Sequence, residues 1–136
     1  MIQIAGNPAL RAALIYIALL VLGLLPLTFY VIRNRRDAKV GINDGGNKPL
    51  AQAIRVHGNY CENVPFALAL LLALPLAGAA AWSVHLTGLA MILGRIAHAF
   101  GLAQSTGVSP GRVAGMALTW LSLIAGALTL LVQALG

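Results

Sequence analysis

The chain has 136 residues, 60% of them hydrophobic and only 9% charged, with a mean hydropathy of +0.88. Soluble domains carry about 25% charged residues, so the composition excludes an ordinary soluble domain and leaves an integral membrane protein with room for four short spans. The formal net charge of +6 does not point to nucleic acid: the basic residues concentrate where the positive-inside rule places them, without aromatic residues interleaved in a basic face, and attraction to anionic headgroups accounts for them.

The first span is predicted at about residues 10–32. It contains the uncharged run Ala12–Ile32 and is closed by Arg33-Asn34-Arg35-Arg36. The run is too long for a signal-peptide core, and it lacks a basic leader and a small-residue cleavage site, which predicts a retained helix. Pro26 is expected to kink it. Residues 33–49 read as the polar connection, with Asp44-Gly45-Gly46-Asn47 as a turn and Pro49 suited to the first turn of the next helix. The second span is predicted at about 50–74, and Pro75 and Gly78 mark a short uncharged connection. The third span is predicted at about 80–100, followed by a Gly/Ser/Thr-rich loop at 101–111, and the fourth at about 112–135. The whole, 1–136, reads as one all-α membrane domain, a four-helix bundle. Arg33, Arg35, Arg36, Lys39 and Lys48 all fall in the first connection and none in the second. Loops 33–49 and 101–111 are therefore expected on the cytoplasmic side of a cell inner membrane, with the termini opposite.

The second span carries an unusual polar face. Arg55, Asn59 and Glu62 stand at i, i+4 and i+7, within an arc of roughly 60° on an ideal helix, and Gln52 joins them. Charges inside a span are costly and face a partner, a cavity or a binding site rather than lipid. Arg55 and Glu62, about 10 Å apart along the axis, can hold a small zwitterion or pair across a helix interface. Arg95 and Arg112 come from two further helices at the same expected depth, so three helices deliver guanidinium groups suited to carboxylates. Positive-inside anchoring explains Arg33, Arg35 and Arg36, but not an acid two turns into the apolar zone.

Other chemistry is weakly signalled. His57, His85 and His98 lack metal-ligand spacing, and no metal site is expected. His57 is predicted to point away from the Arg55–Glu62 face. Cys61 is read as a small packing residue on that same far side. The serines have no Ser-His-Asp context. Gly111 and Gly115, four apart, suggest close helix contact, and Trp82 beside an uncharged connection looks like an interfacial anchor.

The stretch from Arg55 through His57, Asn59 and Glu62 to Pro65-Phe66 resembles the second-helix signature of the MAPEG family (membrane-associated proteins in eicosanoid and glutathione metabolism). Leu93-Gly94-Arg95 with His98 resembles the end of that family's third helix, and Gly111-Arg112 the start of its fourth. The resemblance covers four helices and nearly the whole length, and is nearer to the short bacterial members. It implies a homotrimer that binds glutathione between neighbouring subunits near the cytoplasmic side. Carried over residue by residue, it implies that Arg112 faces the glutathione sulfur, that Arg55, His57, Asn59 and Glu62 contact the tripeptide, that Arg95 contributes from the third helix, and that Arg33 matches a further family arginine. The activity implied is glutathione transfer or peroxidase chemistry on a lipophilic electrophile held in the membrane.

Three departures from the pattern bear on that activity. Met116 stands where catalytic eicosanoid-branch members carry a tyrosine, Val113 where some carry a serine, and Leu102 near another common tyrosine. The missing hydroxyls keep an alternative open: a non-catalytic membrane scaffold, or a lipid- or anion-binding protein, of the same architecture. A transporter is the third reading, set against the short chain and the absence of an inverted repeat.

Overall fold

The computed structural model describes residues 6–136, so residues 1–5 of the expected domain lie outside the described part. Four α-helices make up the described residues: α1 (Pro8–Ala38), α2 (Lys48–Leu76), α3 (Ala81–Gln104) and α4 (Pro110–Leu135). All four are long and apolar enough to cross a membrane.

Three of the four begin in the same way. Asn7, Asn47 and Ser109 accept side-chain hydrogen bonds from the amides of Leu10, Leu50 and Arg112, and a proline occupies the first turn that follows. The cap satisfies an amide that has no helical partner, and proline needs none. α1 ends at Lys39, which adopts the left-handed conformation with φ 54° while its amide bonds back to the last turn. Gly78, at φ 82°, turns the short connection between α2 and α3, where glycine carries no steric cost.

α1 and α3 are longer than the hydropathy pattern indicates. Residues 33–38, expected in the connection, continue α1 as a last water-facing stretch, and the loop proper is 39–47. Hydropathy marks where lipid contact ends, not where hydrogen bonding ends. Arg35 and Arg36 also sit favourably in the last turn beside the negative end of the helix dipole. Arg35 then ties the loop down, its guanidinium donating to the carbonyls of Val40, Gly41 and Asn43. Residues 101–104, expected in a loop, are the last turn of α3. The Gln52 amide donates to the carbonyls of Leu102 and Ala103 (2.7 and 3.1 Å), which satisfies that end. α1 runs unbroken through Pro26.

α3 packs closely along α4, and α1 along α2. Glycines set the first contact: a side chain at Gly94 would collide with the Gly115 carbonyl and Thr119, and one at Gly101 with the backbone of Gly111 and Arg112. This is the small-residue approach that membrane helices use in place of a hydrophobic drive. The Ser122 hydroxyl donates to the Thr87 carbonyl across the seam. Between α1 and α2, Gly23 leaves room for Tyr60, whose hydroxyl donates to the Leu20 carbonyl at 2.6 Å. The core proper is Leu20, Tyr60, Val64, Leu71, Leu74, Val84 and Met91. Large side chains such as Leu22, Phe29, Leu121 and Leu128 point outward, as in a bundle whose outer solvent is lipid.

Candidate functional site

The polar face of α2 divides in two. Arg55 and Glu62, both about half exposed, form a two-pronged ion pair (2.7 and 3.1 Å) on the outside of the bundle. Asn59, expected beside them, turns inward and is 92% buried, given its 8% exposure. Its side-chain oxygen accepts from the Arg95 guanidinium at 2.6 Å. The ideal helix places Asn59 and Gln52 about 40–60° to one side of Arg55 and Glu62 at about −20–0°. That modest angle straddles the boundary between the bundle interior and its surface.

Arg95 is the hub of the inner network. Only 3% exposed, it spends its donors on Asn59, on the Thr119 hydroxyl from both Nε and a terminal nitrogen, and on the Met116 sulfur at 3.4 Å. Thr119 in turn donates to the Gly115 carbonyl. The whole sequence contains three acids. Glu62 pairs with Arg55, Asp37 approaches Arg33, and Asp44 accepts from the Gly46 amide in its own turn. Arg95 is therefore stabilised by neutral dipoles from α2 and α4 rather than by a carboxylate. The guanidinium joins three helices at one level, and its hydrogen bonds satisfy a charge that would otherwise be very costly in a bilayer.

Of the three arginines expected at one depth, Arg55 and Arg112 share a cleft and Arg95 does not line it. This open cleft, of about 410 Å³, is also lined by Lys48, Gln52, Leu102 and Thr106. The Arg112 guanidinium donates to the carbonyls of Thr106 and Gly107, which fixes it against the α3–α4 loop. Arg55 also borders a second cleft of about 430 Å³ with Asn43, Asp44, Gly58 and Glu62. Arg112 borders a third of about 350 Å³, mostly apolar, with Val108, Val113, Met116 and Trp120. The two arginines thus link a polar strip at the loop end to an apolar shelf on the lipid face of α4.

The remaining candidates separate. The His57 ring faces α1, with its Nε2 3.3 Å from the Thr28 hydroxyl and its Nδ1 3.8 Å from Cys61. Its direction away from Arg55 agrees with the helical geometry. Cys61, expected to be packed, is exposed beside it, because its neighbour Tyr60 takes the α1-facing position and turns Cys61 to the outside of α2. His98 is buried near Gly115 of α4. His85 accepts or shares a hydrogen bond with the Tyr16 hydroxyl at 3.0 Å near the other end of the bundle. Arg33 lines a different cleft, on α1, with Phe29, Ile32, Arg36 and Asp37.

Sequence reasoning passed over Thr119 and Lys48. A signal for Thr119 was present: Arg112, Met116 and Thr119 repeat on α4 the i, i+4, i+7 spacing of Arg55, Asn59 and Glu62 on α2. Only the inner members of the two stripes reach the buried Arg95: Asn59 from α2, and Met116 and Thr119 from α4. Lys48 carries no such mark, because it reads as one more loop cation until the α2 start brings it to the cleft.

Four apolar spans with a cleft lined by Lys48, Arg55 and Arg112 at their loop end define a polytopic membrane protein. The MAPEG family model matches residues 13–132, and the chain belongs to that family. It is 36% identical over 110 residues to the inner membrane protein YecN of Escherichia coli strain K12, covering 81% of this chain and 82% of that one. The YecN protein of Escherichia coli O6:H1 strain CFT073 matches to the same extent. With four spanning helices and an inner-membrane relative, the chain is a multi-pass inner membrane protein.

Proposed function

We propose that this protein binds glutathione and presents its thiolate to lipophilic electrophiles dissolved in the membrane, as a transferase or a peroxidase. One observation carries the reading: Arg55 and Arg112, from separate helices, line a single cleft, and Arg112 also borders the apolar shelf of Val113, Met116 and Trp120. A hydrophilic tripeptide and an apolar acceptor need such a junction.

The residues suit the ligand. The guanidinium forks of Arg55 and Arg112, with Lys48, match carboxylates and a sulfur anion. Glu62 accepts the ligand's ammonium group, and Gln52 adds a neutral contact. Bound glutathione supplies the nucleophile. Arg112 favours the thiolate over the thiol, because a nearby cation lowers a thiol pKa from its usual value of about 8.5. Holding both reactants at the junction supplies the orientation. Asn59 and Arg95 act one layer back: they hold α2, α3 and α4 at the spacing that brings Arg55 and Arg112 together. His57 faces α1 within one subunit and reaches the ligand from a neighbouring copy.

A trimer completes the site in this reading. A half-exposed ion pair on the outer face of a spanning helix is poorly served by lipid and is covered by a second copy. Arg33 lies on a separate α1 cleft, with Phe29, Ile32, Arg36 and Asp37, and stays outside the glutathione site in this reading. The test is calorimetric titration of detergent-purified protein with glutathione, followed by conjugation to a small aryl halide. Saturable binding and turnover support the proposal, and absence of binding at millimolar glutathione refutes it. The non-catalytic alternative draws on Met116, whose sulfur contacts Arg95 where a hydroxyl would have aided activation. It requires binding without turnover, and conjugation abolished by Arg112→Ala in a folded protein eliminates it.

A further inference from the structure

We propose that the α1 cleft at the loop end of the bundle is a selective site for one anionic glycerophospholipid with a single negative charge. The inference is independent of glutathione binding. The cleft has a volume of about 620 Å³ and is lined by Phe29, Ile32, Arg33, Arg36 and Asp37. These residues stand at i, i+3, i+4, i+7 and i+8 on one face of α1.

The face changes character along its length. Phe29 and Ile32 are exposed, at 66% and 45%, and continue the apolar lipid-facing surface of Leu22 and Leu25. Arg33 and Arg36 lie one turn beyond, where the apolar run stops and the headgroup layer begins. An acyl chain against Phe29 and Ile32 therefore places its phosphate between the two guanidinium groups. This continuity selects a lipid over a free phosphate ion.

The two arginines differ from their neighbour Arg35, which is tied to three loop carbonyls. Arg33 makes one long contact with Asp37, at 4.0 Å, with both side chains largely exposed (84% and 74%). Such a surface pair contributes little, so both guanidinium groups are available to a ligand. Two arginines and Asp37 leave the cleft with one net positive charge. A phosphodiester of one negative charge neutralises it, whereas a zwitterionic headgroup does not. Planar guanidinium forks suit phosphate oxygens.

The experiment is native mass spectrometry of the full chain in mild detergent, titrated with phosphatidylglycerol or phosphatidylcholine of identical acyl chains. We expect one phosphatidylglycerol retained per chain, with a preference over phosphatidylcholine on the order of tenfold, since each basic residue near an anionic surface is worth about a factor of five. R33Q/R36Q removes the preference, and D37N strengthens it. The opposite sign of D37N separates a headgroup site from a variant that is merely less stable. Equal retention of the two lipids, or an unchanged preference in R33Q/R36Q, overturns the proposal. So does displacement by inorganic phosphate at millimolar concentration, which would mark a site for the free ion. Altered subunit stoichiometry in R33Q/R36Q with lipid preference intact would mark the face as a contact between copies and equally overturn it.

Discussion

Two arginines on neighbouring helices meet the membrane in opposite ways. Arg95 is inside the bundle, held by Asn59, Thr119 and Met116 with every contact supplied by its own chain. Arg112 is at the loop end, anchored only through backbone carbonyls and open to a cleft it shares with Arg55. The first arrangement spends the guanidinium on architecture, and the second leaves it for a ligand. The residue before them does not separate them, since both follow a glycine. What separates them is the partner stripe: Arg95 faces neutral side chains from two other helices, and Arg112 faces a loop.

The contrast is broken most severely at Asn59. Asn59→Leu leaves a buried guanidinium without its short acceptor, and losing a partner to a buried charged group costs about 3 kcal/mol. We expect a large fall in thermal stability in detergent, followed by circular dichroism, whether or not glutathione is present. An Asn59→Leu protein as stable as the parent would show that Asn59 is not structural. Gly115→Val tests the seam that lets Arg95 reach Thr119. A branched side chain there meets the backbone of Gly94 and His98, and overpacking of this kind costs about 1–3 kcal/mol. Unchanged stability would mean that α3 and α4 separate at little cost.

Variants of the outer pair sharpen the comparison from the other side. Glu62→Gln removes a carboxylate from a half-exposed pair, so the subunit fold is expected to survive while glutathione affinity falls by about tenfold, as for loss of one charge-assisted contact. Calorimetry reads the affinity and native mass spectrometry the oligomer. Tight binding by a stable variant would remove Glu62 from the site. The smallest effect is expected at Lys48→Gln, a flexible cation at the rim of the cleft. A loss of about twofold to fivefold in affinity that fades with added salt is the outcome of an exposed charge.

The architecture was largely legible in the sequence, because four apolar runs of spanning length leave few alternatives and the loop charges define the polar end. The shared outer face of Arg55 and Glu62 was visible from i, i+7 spacing, but not their direct pairing. An axial separation of about 10 Å suggests a ligand between them or a pairing across a helix interface, whereas the long side chains close that gap along α2 itself. The Gly111–Gly115 contact was visible from small residues four apart. Other features were not. The last turns of α1 and α3 are helical through capping and a Gln52 side chain 50 residues away, which no hydropathy window senses. The inward turn of Asn59 depends on how α2 is rotated about its axis, a quantity set by packing against α3. Arg95 was grouped with Arg55 and Arg112 because depth can be counted along a helix, whereas burial on its far side cannot. The neutral partners that stabilise it, Thr119 and Met116, carry no charge signal to draw notice.

The arginine that lines the open cleft, Arg112, is held to stabilise a bound thiolate. Titrating the thiolate absorbance of glutathione near 240 nm, free and bound, tests it directly. A lowered pKa in the bound state means that binding releases a proton, so affinity rises with pH from the bound pKa up to the free value of about 8.5 and is level above it. Each unit of lowering corresponds to about 1.4 kcal/mol of preference for the anion. We predict thiolate absorbance at neutral pH in the bound state, part of the shift in Arg112→Lys, and none in Arg112→Ala. An identical thiol pKa for free and bound glutathione in the parent protein would contradict the account.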